Sequence, residues 1–154
     1  MRYVRLVSPT REHLRHVADF MRPEDVREVY AARGISPFDA LYGGFVSSDF
    51  CFAGLDSSGT PVGIFGVCRE NVRWWSPWLL GTEGLWALRR PFLRTSCALL
   101  PWLLCRYARL RNYVDARNEL SIGWLRGLGF VMEPAAAYGF EGRDFILFHK
   151  EREV

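Results

Sequence analysis

Residues 112–131, NYVDARNELSIGWLRGLGFV, contain the change from strand to helix that decides the fold. The pattern predicts a β-strand over residues 112–116 and a short helix over residues 120–128. Asn118 stands between the two, where its side chain can accept a hydrogen bond from the first turn of the helix. The stretch therefore combines a strand, a capping residue and a helix in that order.

The predicted helix has a buried side and a defined end. Three apolar residues recur every four positions along it: Leu120, Trp124 and Leu128. Gly129 followed by Phe130 is typical of a glycine C-cap with its hydrophobic contact. A strand that runs into a helix N-terminus concentrates free amide donors at one edge of a sheet. An anion or an acyl carbonyl would be stabilised at that edge.

The elements before this stretch predict a mixed α/β domain. A strand over residues 3–7 precedes a helix capped by Ser8, and a second helix starts at Pro23 and ends at Gly34. Val26, Val29 and Tyr30 are expected to form the buried stripe of that second helix.

The remaining segments complete the predicted order. Strands over residues 49–55 and 62–68 flank a hairpin turn at residues 56–59, and a further strand lies within residues 78–88. A long helix over residues 91–110 is either kinked or restarted at Pro101. After the opening stretch, a last strand is predicted over residues 145–149, with a short extra strand at residues 130–132. The order is β-α-α-β-β-β-α-β-α-β.

Composition and charge limit the function classes. The 154 residues, 49% hydrophobic and 24% charged, predict one globular domain over residues 1–154 and exclude a disordered tail. Residues 69–126 hold ten arginines and four acids, a net charge of +6, which leaves −3 for the remainder. A basic half favours an anionic partner, either a phosphate-bearing small molecule or nucleic acid. The alternative is a solvated surface.

No metal site and no membrane span are expected. Four cysteines form no CxxC pair and lie in apolar runs: Cys51, Cys68, Cys97 and Cys105. His13 and His16 are one helical turn apart without a third ligand nearby, so a solvated helix face is the better interpretation. The longest apolar run, residues 98–105, is far shorter than the roughly 20 residues that span a bilayer. A reducing, cytoplasmic location is therefore expected.

The opening stretch resembles the last sequence block of the GNAT superfamily of acetyl-CoA-dependent N-acetyltransferases. In that block an Asn after a strand precedes a small residue, an apolar helix and a Leu-Gly-Phe ending. The matching positions are Asn118, Ser121, Ile122, Leu128, Gly129 and Phe130. The resemblance extends through the order of elements and implies a mixed, mostly antiparallel sheet flanked by helices. The Trp-rich segment before the long helix and the Asn-Tyr-Val strand look most like the acetyltransferase-like internal virion proteins of short-tailed phages.

The resemblance implies an acetyl-CoA site at the start of the long helix. Glycine-rich family loops there expose backbone amides to the pyrophosphate, and here residues 91–96 fall on that position. The implied cofactor contacts are Leu93, Arg94, Thr95, Ser96, Asn118 and Ser121. Arg94 either binds phosphate or fills the groove. Asn118 would orient the pantetheine arm or the helix.

The resemblance also implies catalytic positions. Leu125 occupies the place of the usual tyrosine acid and cannot donate a proton. Glu83, on the strand that leads into the cofactor loop, is the implied general base, and its alternative is an exposed glutamate at a strand edge. Tyr113 and Tyr138 could replace the missing acid only by proximity in sequence, and packing is the commoner role for a tyrosine at either position.

Two functions remain in competition. Two features favour a degenerate GNAT-fold protein with weak or no catalysis: the loop is poor in glycine, and Leu125 replaces the tyrosine acid. Such a protein would be located in a phage virion or in the host cytoplasm and would contact a virion or host protein. The alternative is an active N-acetyltransferase that uses acetyl-CoA and a primary amine. Nucleic-acid binding is a third interpretation, which needs a continuous basic face.

Overall fold

A computed structural model describes residues 2–153, with one sheet of eight strands and six helices. The first half contains β1 (Arg5–Val7), α1 (Arg11–Asp19), α2 (Pro23–Arg33), α3 (Pro37–Ser47), β2 (Ser48–Leu55), β3 (Pro61–Arg69) and β4 (Trp75–Gly81). The second half contains α4 (Glu83–Ala87), α5 (Arg89–Tyr107), β5 (Arg109–Asp115), α6 (Glu119–Gly127), β6 (Val131–Met132), β7 (Ala136–Tyr138) and β8 (Arg143–Glu151).

The sheet is mixed and mostly antiparallel, as predicted. Its strand order is β1-β2-β3-β4-β5-β8-β6, and β7 pairs with β8 beside this path. Only β4 and β5 run parallel among the described strands. Because the two belong to different halves of the chain, the sheet consists of two antiparallel sections that meet at this pair.

Helices cover both faces of the sheet. Side chains of α1, α2 and α3 share one core cluster with Ile64 and Leu80, whereas α5 and α6 share another with Val67 and Val114. Ile64 and Val67 are three residues apart on β3 and therefore point to opposite faces. Each face thus has its own apolar core. Within residues 2–153, no helix is both long enough and apolar enough to cross a bilayer.

The opening stretch folds as predicted. The strand over residues 112–116 is confirmed as β5, and the helix over residues 120–128 is confirmed as α6, which begins one residue earlier. Asn118 is the N-cap, and its Oδ1 accepts from the backbone N–H of Ser121 at 3.4 Å. Gly129 has φ +83°, and the Phe130 N–H donates to the Leu125 carbonyl at 3.1 Å. This is the glycine-ended helix terminus that the sequence predicts.

The predicted element order misses two helices and one strand. It omits α3, whose Gly43 and Gly44 weaken the helical pattern. Gly44 lies so close to Trp78 that an added Cβ would stand 2.8 Å from the indole. The order also omits β7 and α4. The strand predicted within residues 78–88 ends at Gly81, because Thr82 caps α4 through the Gly84 N–H.

Two smaller expectations are also wrong, and one of the two alternatives given for Pro101 is excluded. The first helix is capped by Thr10, whose hydroxyl accepts from the His13 N–H, and not by Ser8. Tyr30 is half exposed and packs edge-on against Phe140, so it is not part of the buried stripe of α2. The long helix α5 continues through Pro101 and is not restarted there.

Candidate functional site

The two parallel strands of the sheet separate after a single aligned pair. Trp75 of β4 lies opposite Leu110 of β5 at the start of both strands. Further along, the two backbones are joined through a side chain, since Asn112 Nδ2 donates to the Pro77 carbonyl at 2.9 Å. Backbone groups alternate sides along a strand, so the N–H and C=O of Leu79 face the same gap as the Pro77 carbonyl. The gap widens toward the carboxyl ends of the two strands.

The start of α2 closes the far end of this gap. The Arg22 N–H donates to the Gly81 carbonyl, and the Gly81 N–H donates to Asp25 Oδ2, both at 2.9 Å. Asp25 Oδ1 accepts from Arg22 Nη1 at 3.1 Å and from Asn118 Nδ2 at 3.0 Å. Asp25 is only 1% exposed and joins the end of β4 to the cap of α6. Burial raises the pKa of the Asp25 carboxyl above its usual range, although Arg22 and the hydrogen bonds oppose the rise.

Glu28, one turn further along α2, faces the same gap. Its Oε1 accepts from the Asp115 N–H at 2.7 Å and from Asn118 Nδ2 at 3.4 Å. These bonds use one carboxyl oxygen and leave Oε2 available to a bound molecule. Burial, and then the nearby charge of Asp25, raise the pKa of Glu28 to about 8. A carboxyl group with this pKa exchanges a proton near neutral pH, as a general base must.

The gap holds a cavity of about 280 Å³ that Glu28 lines. Its walls come from both faces of the sheet, because Val29 of α2 and Leu125 of α6 both line it. The remaining lining is mainly apolar and aromatic, and it includes six aromatic side chains: Trp78, Tyr113, Trp124, Tyr138, Phe145 and Phe148. The cavity therefore connects the α2 side of the sheet with the α6 side through the separated strands.

Two tyrosines that are distant in sequence meet at this cavity. The rings of Tyr113 and Tyr138 stack with centroids 3.8 Å apart and an angle of 11°. Burial, and then the neighbouring Tyr113, raise the pKa of the Tyr138 phenol. Both side chains line the cavity, so the structure brings together the two tyrosines that the sequence offers as substitutes for the missing acid.

The start of α5 carries unbalanced positive charge. Its first turn contains Arg89 and Arg90 and no acid, and Leu88 at the N-cap provides no side-chain hydrogen bond. A helix N-terminus disfavours cations by about 0.3–1 kcal/mol each. An anionic ligand bound there would offset the unfavourable interaction of these arginines with the helix dipole. In contrast, four arginines elsewhere in residues 69–126 form ion pairs with acids: Arg106, Arg109, Arg111 and Arg117.

The predicted cofactor contacts are not at the start of this helix. Leu93, Arg94, Thr95 and Ser96 were expected to open it, but α5 begins at Arg89, so their backbone amides lie within the helix. The Thr95 hydroxyl donates to the Pro91 carbonyl, and the Ser96 hydroxyl donates to the Phe92 carbonyl. Arg94 is exposed on the second turn. Residues 91–96, expected to form a loop, are therefore helical, and α4 occupies the residues before α5.

The route from the start of α5 to the large cavity is narrow. A pocket of about 20 Å³ lies between α4, α5 and α6, lined by Leu79, Leu85, Arg89, Phe92, Leu120, Ser121 and Trp124. Trp124 also lines the 280 Å³ cavity and a third, apolar pocket of about 30 Å³. Its Nε1 donates to Ser96 Oγ at 2.9 Å, and its ring packs against Phe92 with centroids 5.6 Å apart. Trp124 thus lines both the narrow pocket and the large cavity, together with Leu79 and Ser121.

The other predicted residues are placed as follows. Glu83 is exposed at the start of α4 and not on a strand, and it lines none of the pockets described above. Ser121 lines both the large cavity and the narrow pocket. Leu125 is 2% exposed and faces the cavity. Residues 2–153 contain no group of three or more potential metal ligands.

Sequence reasoning missed Glu28 and Asp25 as site residues. On sequence alone both residues lie within the second predicted helix, and no role is assigned to either. The sequence did indicate that Asp25 is buried. It precedes Val29 by four residues, so the two share the buried face of α2.

Comparisons with solved structures identify the architecture, whereas no protein-family profile and no curated protein sequence matches the chain. The chain is similar to the spermidine N-acetyltransferase from Vibrio cholerae in complex with CoA and spermine, with 14% identity, 96% of this chain and 95% of that chain covered, and a TM-score of 0.69.

Two further structures are equally similar. An acetyltransferase of the GNAT family from Bacillus anthracis has 9% identity, with 96% and 94% of the two chains covered and a TM-score of 0.69. An acetyltransferase from Agrobacterium tumefaciens str. C58 has 16% identity, with 97% and 91% covered and a TM-score of 0.67. At these identities the similarity is one of fold.

Proposed function

The chain has the fold of the GNAT acetyltransferases, and we propose that it is an acetyltransferase-like protein with weak or no acetyl transfer, because its coenzyme route is blocked. The observation that carries this proposal is the position of Trp124 between the basic start of α5 and the 280 Å³ cavity. A thioester must reach the amine to within about 3–3.5 Å before it reacts. With the indole in this place, acetyl-CoA bound at Arg89 would not present its acetyl group to the cavity.

Three features of the chain fit this proposal. Helix α4 occupies the residues that directly precede α5, so few backbone amides there are free for a pyrophosphate. Leu85 and Phe92 fill the space beside Trp124. The place of the usual tyrosine acid is taken by Leu125, which has no proton to donate.

Calorimetric titration with acetyl-CoA tests the blocked route. We expect no saturable binding of the wild-type protein below millimolar ligand, and at least tenfold tighter binding by Trp124→Leu, which shortens the blocking side chain. The control is Trp102→Leu, because Trp102 is a 48% exposed tryptophan on the neighbouring helix α5 and lines none of the pockets described. Circular dichroism verifies that each variant is folded, since truncation of a packed Trp costs about 3–5 kcal/mol. Micromolar binding by the wild type would contradict the proposal.

A second candidate function, active transfer of acetyl to a primary amine, is favoured by Glu28. Its carboxyl group lies in the gap with a pKa of about 8 and an unoccupied oxygen, as a base that deprotonates an ammonium group requires. A thiol-release assay with acetyl-CoA and a panel of amines separates the two candidates. A clear wild-type rate that falls at least tenfold in Glu28→Gln and is unchanged in Glu83→Gln would establish the second candidate.

The biological setting belongs to the same proposal. If the chain is a virion component of a short-tailed phage, or a protein that contacts a host partner, it acts through its surface and needs no turnover. The resemblance to internal virion proteins is the support for this setting. Mass spectrometry of purified particles of the encoding phage tests it, and absence of the protein from the particles would leave the host cytoplasm as its location.

A further inference from the structure

Helix α3 is apolar on its outer side as well as on its inner side. Ala40 and Leu41 face the core, as expected for a helix that packs on a sheet. Tyr42 and Val46, one turn apart on the opposite side, are 52% and 58% exposed. Asp39 is the only charged residue of this helix. A surface helix normally carries charged residues along its solvent side, so α3 has the composition of a helix that is covered on both sides.

Helix α1, which packs beside α3, has the usual pattern of a surface helix. Both helices contribute to the same core cluster and cover the same face of the sheet. The exposed side of α1 is nevertheless rich in charge, because four of its exposed residues are ionisable: Arg11, Glu12, Arg15 and Asp19. The apolar outer side is therefore specific to α3 and is not a general property of this face of the protein.

Gly43 supports a close approach of another chain to this side of α3. It lies four residues after Asp39 and three before Val46, so all three share the outer side of the helix. Glycine is unfavourable in a helix interior. Contact with Trp78 accounts for Gly44, whereas a Cβ added at Gly43 would meet no atom of residues 2–153 within 4 Å. A backbone or side chain of a partner packed closely on α3 would account for this second glycine.

Two charged side chains of opposite sign flank the exposed apolar residues. The Arg15 Cζ atom lies 4.6 Å from the centre of the Phe38 ring, which places the guanidinium group over α3. Within residues 2–153, neither Arg15 nor Asp39 forms an ion pair. Around the helix axis, Tyr42 stands about 40° from Phe38 and about 60° from Asp39. Tyr42 therefore lies between the two charges.

A surface with one acid and one base on either side of an apolar centre is complementary to itself. A twofold rotation about an axis through Tyr42 brings Arg15 of one copy toward Asp39 of the other, and this pair then occurs twice. A membrane surface with anionic lipids would instead favour a cluster of cations, which the Asp39 carboxylate opposes. The mixed charge therefore favours a second copy of the chain as the partner of this surface.

The exposed area is that of a weak dimer. The exposed parts of Tyr42, Phe45 and Val46 together offer on the order of 250 Å² of apolar surface, since a large side chain has about 150–250 Å² in all. A specific interface needs roughly 500–600 Å² on each partner. These three residues supply about half of that area, and the adjoining residues of α1 and α3 must supply the rest. An interface near this lower limit forms reversibly, so we expect a micromolar dissociation constant.

We propose that the outer side of α3 packs against the same side of a second copy of this chain, in a twofold dimer with Tyr42 at the axis. Arg15 of each copy pairs with Asp39 of the other. None of these three residues lines the 280 Å³ cavity. Dimerisation therefore requires neither acetyl-CoA nor catalysis and extends beyond the proposed function.

Analytical ultracentrifugation over a concentration series from micromolar to millimolar protein tests the dimer. We expect a reversible change from monomer to dimer in the wild type. Val46→Glu should raise the dissociation constant at least tenfold, because it would bury an unpaired charge at the interface. The matched control is Val131→Glu, since Val131 is a 52% exposed valine on β6, at the end of the strand order away from β2, and it should leave the constant unchanged.

A charge exchange identifies which residues meet across the axis. Arg15→Glu and Asp39→Arg should each weaken the dimer at least tenfold, because each homodimer would contain two pairs of like charges. An equimolar mixture of the two variants should recover dimerisation. In the mixed dimer the introduced glutamate meets the introduced arginine, and the two unchanged residues pair as in the wild type. Circular dichroism verifies that each variant is folded.

Each other outcome overturns the proposal. A folded wild type that stays monomeric at millimolar concentration would exclude the dimer. Equal effects of Val46→Glu and Val131→Glu would place the contact elsewhere than α3. A mixture of the charge variants that dimerises no better than either variant alone would show that Arg15 and Asp39 do not meet across a twofold axis. Binding of the monomeric wild type to phosphatidylserine vesicles would assign the surface to a membrane instead.

Discussion

Replacing Glu28 with Gln should change how stability depends on pH. In the unfolded chain the Glu28 pKa is near 4.5, and in the folded protein it is about 8. Between these values the folded protein retains a proton that the unfolded chain has lost, so the free energy of unfolding falls as the pH rises. The contribution of Glu28 is fully present below pH 4.5 and is lost as the pH passes through about 8. Gln has the same shape but no proton to lose.

The size of the effect follows from the two pKa values. At about 1.4 kcal/mol per pH unit, the interval from 4.5 to about 8 corresponds to at most roughly 5 kcal/mol. The residue is partly exposed, and rearrangement of the gap reduces the cost of ionisation, so we expect about 2–4 kcal/mol between pH 5 and pH 9. The charged groups that face Glu28 are Asp25, Asp115 and Arg117, and they remain in the variant.

Urea denaturation followed by tryptophan fluorescence measures this effect at each pH from 5 to 9. The quantity of interest is the free energy of unfolding of Glu28→Gln minus that of the wild type, because ionisations that are not coupled to Glu28 cancel in the difference. This difference should increase with pH and level off above pH 9. Glu24→Gln, a partly exposed residue one turn earlier on α2, is the control and should give a constant difference. A constant difference for Glu28→Gln as well would refute the inference that Glu28 is an enclosed carboxyl group that keeps its proton in the folded protein.

Two further substitutions, each with its own control, test the local structure around α6. Asn118→Ala should destabilise the protein by about 2–3 kcal/mol, because it removes a helix cap and leaves Asp25 without one donor. Ser36→Ala removes only the exposed cap of α3 and should cost about 1 kcal/mol by the same thermal unfolding measurement. Gly129→Ala should cost about 1 kcal/mol because φ is +83°, whereas Gly123→Ala in the open helix interior should stabilise by about 0.5–1 kcal/mol. Equal effects of the two glycine substitutions would contradict the glycine-ended terminus of α6.

The part of the fold that could be predicted from sequence is the part specified by local patterns. The change from β5 to α6 depends on a capping residue, a four-residue apolar repeat and a glycine terminus, and all of these act within about ten residues. Helix α3 was missed because Gly44 is required by contact with Trp78, which is 34 positions away in sequence. That contact overrides the low helical preference of glycine, and no local pattern reveals it.

The candidate site was less predictable because its geometry comes from distant segments. The pKa of Glu28 is raised first by burial and then by the charge of Asp25, and its hydrogen-bond partner Asp115 is 87 positions away in sequence. Glu83 was expected on a strand, but Thr82 caps a new helix and turns the glutamate toward solvent. Residues 91–96 were expected to form a loop, but α5 already begins at Arg89, directly after the five residues of α4. Positions that depend on such insertions are fixed only by tertiary structure.

The hydrogen bonds of Asn118 bear directly on the role that the sequence resemblance implies for it. Its side-chain oxygen accepts from the Ser121 N–H, and its amide nitrogen donates to Asp25 and to Glu28. An amide has two N–H donors, so both are used inside the protein, and the residue is 1% exposed. A carbonyl group of a pantetheine arm could accept from the Asn118 amide only by displacing one of the two acids of α2. Loss of acetyl-CoA binding in an Asn118 variant would therefore have two possible causes. Either a contact to the pantetheine arm is lost, or α2 separates from the strand ends. Glu28→Gln distinguishes the two causes, because it weakens the link to α2 while the cap of α6 stays intact.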